Sequence, residues 1–528
     1  MIRRVRVEIN LATLVENYRK ICERVAPLEV LCVLKANAYA LGVGAYAKAL
    51  SDAGCSYFGV AEPFEALELK AALGDRPAAI QILSSILPDE IPAMVRAGVR
   101  LPVTDYEEAQ AISRAATEAG VTARVHFKID TGMGRLGILE SEAFDVIRKV
   151  RELPNLDCEG IFSHCPMAYD PENGYTGDQI ARFVTLAYRL KAAGIAFRRI
   201  HMAASDAINN FPEAACSPFT TVRTGINLHG SFDPNGLRAL ELESVLTLKT
   251  RVAQVRTLPP GTTLGYGRTW CLNAPTRVAT ICAGYADGLP LALSNRGAVL
   301  IKGVRCQVIG RISMDYTTVD VTHVDDVRPG DEVVCLGRDG DKCITPDDWA
   351  ALKGTHAYDI ICSLGSRVER VVIPAPEKRV FPAGKKIRRV ALSLGSNISP
   401  RRVYLANAIS ALVGMPETRF VASSSIYETK GVDVPQEFAD MDFLNQAALF
   451  DTTLSPEEFS SRMHRIEDSL DRIRAIPNGP RTIDIDIITF GDEKRNTPQL
   501  VIPHPRAASR AFVQLPLREL QRIAGEAG

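Results

Sequence analysis

The sequence predicts a multidomain protein with a TIM-type α/β barrel, an all-β domain and a smaller α+β domain. Three observations support this prediction. Residues 8–237 alternate short apolar runs with helical patterns, residues 238–373 carry strand-like runs divided by Gly, Pro and Asp turns, and a charged segment rich in Pro and Gly follows. The chain of 528 residues is also too long for one hydrophobic core and suggests about three units.

Repeated strand–helix units in the first part favour a parallel sheet, because each helix carries the chain back to the start of the next strand. Such a sheet can close into a barrel. Helices are predicted at residues 105–119 and 178–193. Barrel strands are predicted at residues 30–34, 57–60, 79–83, 125–129, 160–163, 199–202 and 226–230.

The runs after residue 240 predict an all-β domain, to which residues 1–7 are also assigned. Residues 374–387 are the best linker candidate because Pro, Gly and charged residues dominate them. Strands and helices resume over residues 388–528. The strands of the all-β domain are predicted at residues 245–255, 277–282, 298–302, 305–309, 317–321 and 332–336.

The composition is that of an ordinary globular protein, with 46% hydrophobic and 23% charged residues and a formal net charge of zero. This balance does not favour a nucleic-acid or membrane-surface partner. No apolar run approaches the ~20 residues of a membrane span, and the N-terminus lacks the apolar core of a signal peptide. Twelve cysteines without a Cys-x-x-Cys pair are typical of reduced thiols in the cytoplasm, not of disulfides or a zinc site.

Lys35 is the first candidate catalytic residue. It ends the apolar run 30–34, and three small or turn-prone residues and Tyr39 follow it. An α/β barrel keeps its chemistry at the C-terminal ends of its strands. A lysine that is partly desolvated there loses its proton more easily and can form a Schiff base. The alternative is an ordinary exposed lysine after a strand.

Nine motifs in a fixed order give residues 1–373 a specific resemblance to the alanine racemases, which are pyridoxal-phosphate enzymes. The resemblance implies interconversion of L- and D-alanine, with D-alanine serving peptidoglycan and pyridoxal 5'-phosphate acting as the electron sink. The motifs are VLKANAY (33–39), KIDTGMGRLG (128–137), SHC (163–165), HMAASDA (201–207), VRTGINLHG (222–230), GYGRTW (265–270), GYADGLP (284–290), GRISMD (310–315) and YDI (358–360).

Racemisation needs a base on each face of the amino acid. By resemblance, Lys35 holds the cofactor and serves as one base, and Tyr266 is the opposing base. A phenol is a weak base unless cations lie nearby, and Arg268 and Tyr285 are its candidate neighbours. The alternative for Tyr266 is a turn tyrosine packed between glycines.

Arg223 matches the residue that faces the pyridine nitrogen. An arginine keeps its proton, so the ring nitrogen stays unprotonated and racemisation is favoured over transamination or decarboxylation. The resemblance assigns the remaining roles as follows: phosphate contacts to Tyr39, Ser205, Tyr358 and the backbone amides of Gly225 and Ile226, a ring contact to His164, substrate binding to Arg135, Met314 and Tyr285, and orientation of Arg135 to Lys128 in a carbamylated form.

The resemblance also implies a homodimer, in which Tyr266 and Met314 complete the site of the partner subunit. The sequence departs from the family at Ala40-Leu41, Thr224 and His229 without losing a catalytic group. Two alternatives stay open: a racemase of broader amino-acid range, and a pyridoxal-phosphate carrier without turnover. Such carriers resemble the barrel alone.

The strongest signal in the last region is a strand with two aspartates, TIDIDII (482–488). Successive side chains of a strand face opposite sides, so Asp484 and Asp486 share one face and isoleucines bury the other. Two carboxylates about 6–7 Å apart suit Mg²⁺ that bridges a triphosphate. The alternative is an exposed charged strand face. Arginines that would neutralise ATP during transfer lie just upstream at Arg472, Arg474 and Arg481.

Seven motifs give residues 388–528 a resemblance to 6-hydroxymethyl-7,8-dihydropterin pyrophosphokinase, a folate-pathway enzyme of ferredoxin-like α+β fold. The resemblance implies Mg²⁺-dependent transfer of diphosphate from ATP to the pterin, with release of AMP. The motifs are ALSLGSN (391–397), SSSIYET (423–429), DFLNQA (442–447), RIEDSLDRIR (465–474), GPRTIDIDII (479–488), IPHP (502–505) and RAF (510–512).

Site residues follow from this second resemblance. A ligand-sensing module that regulates the racemase is the alternative, because residues 430–433, Asp471 and residues 475–478 depart from the family in segments expected to close over ATP. The resemblance assigns the pterin pocket to Thr429, Phe443, Asn445 and Phe512, the ATP contacts to Glu467, Arg472, Arg474, Arg481, His504 and Arg510, and the metal to Asp484 and Asp486.

Overall fold

The computed structural model describes residues 3–233, 235–373, 385–398, 401–432, 435–438, 441–470, 472 and 479–525. The contacts divide the chain into two units, Met1–Ala375 and Pro376–Gly528. Most of the predicted linker, residues 374–384, lies outside the described residues, as do Asp471, Arg474 and the departures from the family at residues 433 and 475–478.

After a first strand, β1 (Arg6–Asn10), the first unit forms a parallel barrel of eight strands. These strands are β2 (Glu29–Val33), β3 (Tyr57–Val60), β4 (Ala79–Ile82), β5 (Leu101–Val103), β6 (Ala123–Asp130), β8 (Leu156–Phe162), β9 (Arg199–His201) and β10 (Thr221–Thr224), with a short β7 (Ile138–Leu139) beside β6.

The strands pair in two sets, β10-β2-β3-β4 and β5-β6-β8-β9. Backbone hydrogen bonds join the sets at both seams: the Arg100 amide donates to the Ile80 carbonyl (2.8 Å), and the Thr220 amide donates to the Ile200 carbonyl (3.0 Å). The predicted TIM-type barrel is therefore closed all the way round.

Helices between the strands cover the barrel. The sequence marks some of their ends: for the sixth helix, the Asp105 side chain accepts from the Glu108 amide (2.7 Å), and Gly120 ends the helix in the left-handed conformation. The helical segments are α1 (Leu11–Val25), α2 (Lys35–Tyr39), α3 (Val43–Asp52), α4 (Pro63–Leu73), α5 (Ile91–Ala97), α6 (Tyr106–Ala119), α7 (Glu140–Val150), α8 (Gly174–Ala192) and α9 (Ser205–Asn210).

Two strand predictions in the barrel need correction. The predicted strand at residues 226–230 is wrong, because this segment is a 3₁₀ turn (Ile226–His229) and the eighth strand is β10, just before it. A short buried apolar run does not reveal its period, and Gly225 and Gly230 bend the chain at both ends. Strand β5 was not predicted, because Pro102 lies inside it and proline disfavours strands.

The second part of this unit is a nine-stranded sheet with the order β16-β15-β18-β11-β1-β20, to which β14, β17 and β19 attach. A hairpin of β12 and β13 stands apart from the sheet. The strands are β11 (Leu246–Leu258), β12 (Thr263–Leu264), β13 (Trp270–Cys271), β14 (Thr276–Ile281), β15 (Ala298–Ile301), β16 (Val304–Gln307), β17 (Thr317–Asp320), β18 (Glu332–Asp339), β19 (Lys342–Ile344) and β20 (Glu369–Ile373).

The prediction that this part is all-β is wrong at two helices, α10 (Pro346–Lys353) and α11 (Ala357–Cys362). The first has a clear start signal, since the Thr345 hydroxyl caps the Asp348 amide (3.1 Å) and proline occupies the first helical position. Helix α11 carries Tyr358, which packs near Tyr39 with ring centroids 5.9 Å apart. The β-rich part therefore supplies a side chain to the mouth of the barrel.

The second unit is built on an antiparallel sheet with the order β22-β24-β21-β25, extended by β23 alongside β24. The described helices do not include one that is long and apolar enough to cross a membrane. The elements are β21 (Arg388–Ser396), α12 (Arg401–Gly414), β22 (Thr418–Ser423), β23 (Tyr427–Lys430), β24 (Asp442–Thr452), α13 (Pro456–Ser469), β25 (Asp484–Phe490), β26 (Arg495–Asn496), β27 (Val501–Ile502) and α14 (Ala511–Gly525).

Candidate active sites

Lys35 lies two residues after the end of β2 at the C-terminal end of the barrel, and the segment after it is a left-handed turn. Residues 36–40 all have positive φ, between 51° and 65°, and none of them is glycine. Each residue in this conformation costs about 1–2 kcal/mol, so surrounding contacts must hold the turn. The turn carries Lys35 at its start and Tyr39 near its end.

Cations crowd this end of the barrel. Desolvation by the surrounding protein, and then Arg135, lower the pKa of Lys35, although the residue still reaches solvent. Lys128 is buried, and its Nζ donates to the Leu83 carbonyl (2.7 Å). Burial, followed by Arg135 and Arg223, lowers the pKa of Lys128 to about 8. Such a pocket attracts anionic ligands and keeps a share of its amines neutral.

Arg135 lies on the loop after β6, which Asp130 fixes. The Asp130 carboxylate accepts from the amides of Gly132 and Met133 (2.8 Å each) and of Gly134. Gly137 ends the loop with φ 123°, and a Cβ there would meet the Lys128 carbonyl oxygen at 2.8 Å. The Arg135 side chain remains exposed on this fixed loop, free to meet a carboxylate.

Arg223 on β10 is buried and rigidly held. Its Nη2 donates to the carbonyls of Ser163 (2.7 Å) and Met202 (3.0 Å), and its Nη1 lies 2.9 Å from His201 Nδ1. His164 Nδ1 lies 3.3 Å from Nη2. Burial lowers the pKa of Arg223 to about 10, so the guanidinium is still charged at neutral pH. Burial and then Arg223 lower the pKa of His164 to about 3, which keeps this imidazole neutral.

A chain of buried groups runs from Arg223 down the barrel, and sequence reasoning missed it. His201 Nε2 lies 3.4 Å from His126 Nδ1, and His126 Nε2 lies 3.0 Å from a Glu159 oxygen. Because Arg223 must donate to His201 Nδ1, His201 donates from Nε2 and His126 donates to Glu159. Burial lowers the pKa of both histidines, so both are neutral. The charge of Arg223 is therefore not shared with them.

The predicted phosphate contacts come together around Gly225. The Ser205 hydroxyl accepts from the Gly225 amide (3.0 Å), and a Cβ at Gly225 would collide with the Tyr39 hydroxyl. Ile226 begins the 3₁₀ turn that follows, and Tyr358 packs near Tyr39. Hydroxyls and amides at the start of a turn are suitable donors for a phosphate. These residues, with Lys35 and the cationic pocket, fit pyridoxal phosphate.

His229, where the sequence departs from the family, lies behind the phosphate cradle formed by Tyr39, Ser205 and Gly225. The buried His229 ring packs edge to face on Tyr39 with centroids 4.7 Å apart, and its Nδ1 lies 3.0 Å from the Tyr46 hydroxyl. Burial lowers the pKa of His229 to about 3, so it adds no charge to the site.

Tyr266, Tyr285 and Met314 lie in the β-rich part, whereas Lys35 lies at the mouth of the barrel. The groups that act most on Lys35 are Arg135, Cys362, Glu65 and Arg223 among the described residues. Tyr266 is 73% exposed, Tyr285 43% and Met314 52%. The Tyr285 amide donates to the Ser313 carbonyl (3.0 Å), beside Met314. Large exposed side chains grouped in this way are typical of a surface that a partner covers.

In the second unit, Asp484 and Asp486 lie on one face of β25, and Ile483, Ile485 and Ile487 are buried in the core on the other. This part of the prediction is confirmed. Arg481 Nη1 lies 2.8 Å from Asp484, and Arg472 bonds both Asp484 and Glu467. The buried Glu467 also accepts from the Ile485 amide (2.9 Å).

Burial and then Asp484 raise the pKa of Asp486 to about 6. In the part of the chain that the structure describes, no group of three or more His, Cys, Asp or Glu side chains could hold a metal. Two carboxylates alone fit Mg²⁺, because this ion keeps several waters and binds through one or two carboxylates and substrate phosphates. The site residues fit a metal that arrives with a nucleotide.

Of the predicted pterin residues, Thr429, Phe443 and Asn445 lie on the paired strands β23 and β24, and Phe512 lies on α14. Asn445 Nδ2 on β24 donates to the Thr429 hydroxyl on β23 (2.9 Å). The Arg481 guanidinium lies 5.3 Å from the centre of the Phe443 ring, and Arg510 lies 5.4 Å from that of Phe512. Burial, followed by Arg510, lowers the pKa of His504. Arg474 lies outside the described residues.

These features define a class: an α/β-barrel enzyme with a lysine and a phosphate cradle at the barrel mouth, joined to a second domain with a carboxylate–arginine site. Family models match residues 9–233 (Alanine racemase, N-terminal domain), 245–372 (Alanine racemase, C-terminal domain) and 391–522 (7,8-dihydro-6-hydroxymethylpterin-pyrophosphokinase). The chain belongs to the alanine racemase family and carries a pterin-pyrophosphokinase domain at its C-terminal end.

Relatives and solved structures agree with this assignment. The alanine racemase of Halothermothrix orenii is 36% identical over 69% of this chain and 95% of its own length, and that of Syntrophobacter fumaroxidans is 38% identical over 68% and 95%. The alanine racemase of Streptomyces lavendulae has a TM-score of 0.66 at 32% identity, covering 71% of this chain and 98% of its own. That of Bartonella henselae, with covalently bound pyridoxal phosphate, has a TM-score of 0.63 at 30% identity, covering 70% and 99%.

Proposed function

We propose that the first unit interconverts L- and D-alanine with pyridoxal phosphate held on Lys35. The observation that carries this proposal is the buried, charged Arg223, fixed by two carbonyls and flanked by neutral histidines. Pyridoxal phosphate, when bound, supplies the electron sink. Because Arg223 keeps its own proton, it leaves the nitrogen of the cofactor ring unprotonated. An unprotonated ring favours racemisation over transamination or decarboxylation.

The chain's own residues then move the proton. Lys35 Nζ takes or returns it on one face, helped by the lowered pKa of its amine. Arg135 holds the substrate carboxylate, since a planar guanidinium suits this task. Lys128, with a pKa of about 8, is neutral often enough to react with carbon dioxide, and the resulting carbamate would replace a repelling cation beside Arg135 with an anion.

We propose that Tyr266 of the partner subunit is the base on the other face, which makes the working enzyme a homodimer with two composite sites. The exposure of Tyr266, Tyr285 and Met314 supports this arrangement. Twelve free cysteines support the expected cytoplasmic location.

The composite site has a direct test. Lys35→Ala and Tyr266→Phe variants are each expected to be inactive, because each lacks one base in both sites of its homodimer. The two variants are unfolded and refolded together, so that half of the randomly paired dimers are mixed. Each mixed dimer has one intact site out of two. The mixture is therefore expected to show about a quarter of the wild-type activity per total protein. If the mixture stays inactive while refolded wild type recovers, the shared site is refuted.

We propose that the second unit is ferredoxin-like and transfers diphosphate from ATP to 6-hydroxymethyl-7,8-dihydropterin, releasing AMP. The strand order β22-β24-β21-β25 supports the fold. The observation that carries the activity is the pair Asp484 and Asp486 on one strand face with Arg472 and Arg481 beside it. The aspartates would hold Mg²⁺ with the nucleotide, and the arginines would balance the charge of the moving phosphates.

AMP formation tests this proposal. The full-length chain with ATP, Mg²⁺ and the pterin is expected to form AMP, Asp484→Ala to lose it, and Asp492→Ala, which changes an exposed aspartate outside the site, to keep it. Wild-type protein that racemises alanine but forms no AMP would favour the alternative, a binding module that regulates the racemase.

A further inference from the structure

The left-handed turn after Lys35 is held at both ends by residues to which no role has been assigned so far. At its start, a buried Glu65 oxygen accepts from the Ala36 amide. At its end, Arg370 Nε donates to the Ala40 carbonyl (3.0 Å). The turn is strained, because five consecutive non-glycine residues have positive φ. Contacts that keep such a strained segment in place are expected to be part of the site.

Glu65 is well placed to act on the turn because its own position is fixed. It lies in the first turn of α4, and its second oxygen accepts from the Ala61 (2.8 Å) and Glu62 (3.1 Å) amides. Arg370 is fixed in the same way by the carbonyls of Leu364 (2.8 Å) and Gly365 (2.7 Å). The turn is therefore bonded to a barrel helix on one side and to β20 on the other.

We propose that Glu65 is a positioning residue, which holds Lys35 and Tyr39 in register with the bound cofactor by anchoring the first amide of the strained turn. Arg370 anchors the other end of the turn. The proposal rests on the racemase chemistry proposed above for Lys35. Its competitor is a purely structural role, in which Glu65 only caps α4.

The test compares Glu65→Gln with Glu68→Gln in the full-length chain. Glu68 lies on the same helix but is exposed, so it controls for the loss of one charge. The first readout is the dissociation constant of pyridoxal phosphate, followed by absorbance. The second is the pH dependence of acetic anhydride labelling at Lys35 in the cofactor-free chain, resolved by peptide mass spectrometry. The second readout does not depend on activity.

Glu65→Gln is expected to weaken cofactor binding about 10- to 100-fold, the range for loss of a hydrogen bond to a charged group. The labelling midpoint of Lys35 should move to lower pH, because Glu65 opposes the lowering of the Lys35 pKa. Glu68→Gln should change neither. If Glu65→Gln and Glu68→Gln give the same binding and the same labelling, Glu65 only caps the helix, whatever its effect on Tm.

A double variant covers the possibility that Glu65→Gln fails to fold. Glycine adopts the left-handed conformation without a Cβ penalty, so Ala36→Gly combined with Glu65→Gln should restore folding, or recover part of the lost cofactor binding. A double variant no better than Glu65→Gln would overturn the proposal. Wild-type protein that does not bind pyridoxal phosphate at all would refute the proposed function instead, which keeps the two failures apart.

Discussion

Glu159→Gln should destabilise the first unit by about 3–5 kcal/mol, the cost of breaking a buried ion pair from one side. Glu159 is only 3% exposed. Its carboxylate accepts from Arg100 Nε (2.6 Å) and Arg199 Nη1 (2.7 Å) and lies 3.0 Å from His126 Nε2. Glutamine keeps the shape of the side chain but leaves two part-buried guanidinium groups without their shared anion.

Asp157→Asn is the matched control. Asp157 pairs with Arg198, and their side chains are 31% and 61% exposed, so this change should cost less than about 1 kcal/mol. Urea unfolding followed by tryptophan fluorescence measures both variants. The chain has two tryptophans, Trp270 and Trp349, and both lie in the first unit, so the signal reports that unit.

The pH dependence adds a second check on Glu159. Burial raises its pKa, but hydrogen bonds from His126 and Arg100 outweigh burial and hold the pKa well below its usual range. A carboxylate whose pKa is lowered by folding stabilises the folded protein at pH values above its pKa in the unfolded chain, about 4.3. This stabilisation is lost as the pH falls towards the pKa of the folded protein. The difference between wild type and Glu159→Gln should therefore shrink below about pH 4. A Glu159→Gln cost no larger than that of Asp157→Asn would refute this account of the barrel.

Three further predictions concern the two sites. Burial and then Arg135 lower the pKa of Lys128 to about 8, so unfolding takes up a proton above pH 8. The free energy of unfolding of the first unit, measured in urea, should therefore rise from pH 8 to 10. The Lys128→Met variant should show a flatter rise. Arg223→Glu should slow racemisation and increase pyruvate formed per turnover, measured on the same alanine samples; an unchanged ratio would contradict the assigned role of Arg223. Asp486→Asn should lower AMP formation at least about 100-fold with racemisation intact, and a smaller effect on AMP would argue against a metal role.

Sequence periodicity predicted most of the barrel because its strands are buried apolar runs with clear boundaries. Strand β3 was predicted at its observed bounds. Prediction from periodicity failed where tertiary contacts determine the local structure. Examples are the 3₁₀ turn Ile226–His229 and β5 with its internal proline. Helix α10 was missed although Thr345, Pro346 and Asp348 form a recognisable start signal.

The candidate site divides in the same way. Motif residues such as Arg223 and Ser205 could be identified by resemblance, and the structure brings them together with Lys35 and Tyr39. Glu65 and Arg370 carry no motif, since their role depends on a left-handed turn that the residues Ala-Asn-Ala do not reveal. The row of hydrogen-bonded side chains from His201 to Glu159 was also not predicted, because only packing inside a closed barrel aligns side chains from different strands.

The position of β1 has a consequence for biosynthesis. This strand pairs with β11 on one side and with β20 on the other, and Arg6 lies opposite Glu369. Strand β1 therefore leaves the ribosome about 360 residues before its β20 partner. At ~5–20 residues per second, β1 stays without its β20 partner for roughly 20–70 seconds while the barrel strands emerge. The barrel has time to close first, and the nine-stranded sheet is completed only as synthesis of the C-terminal unit begins.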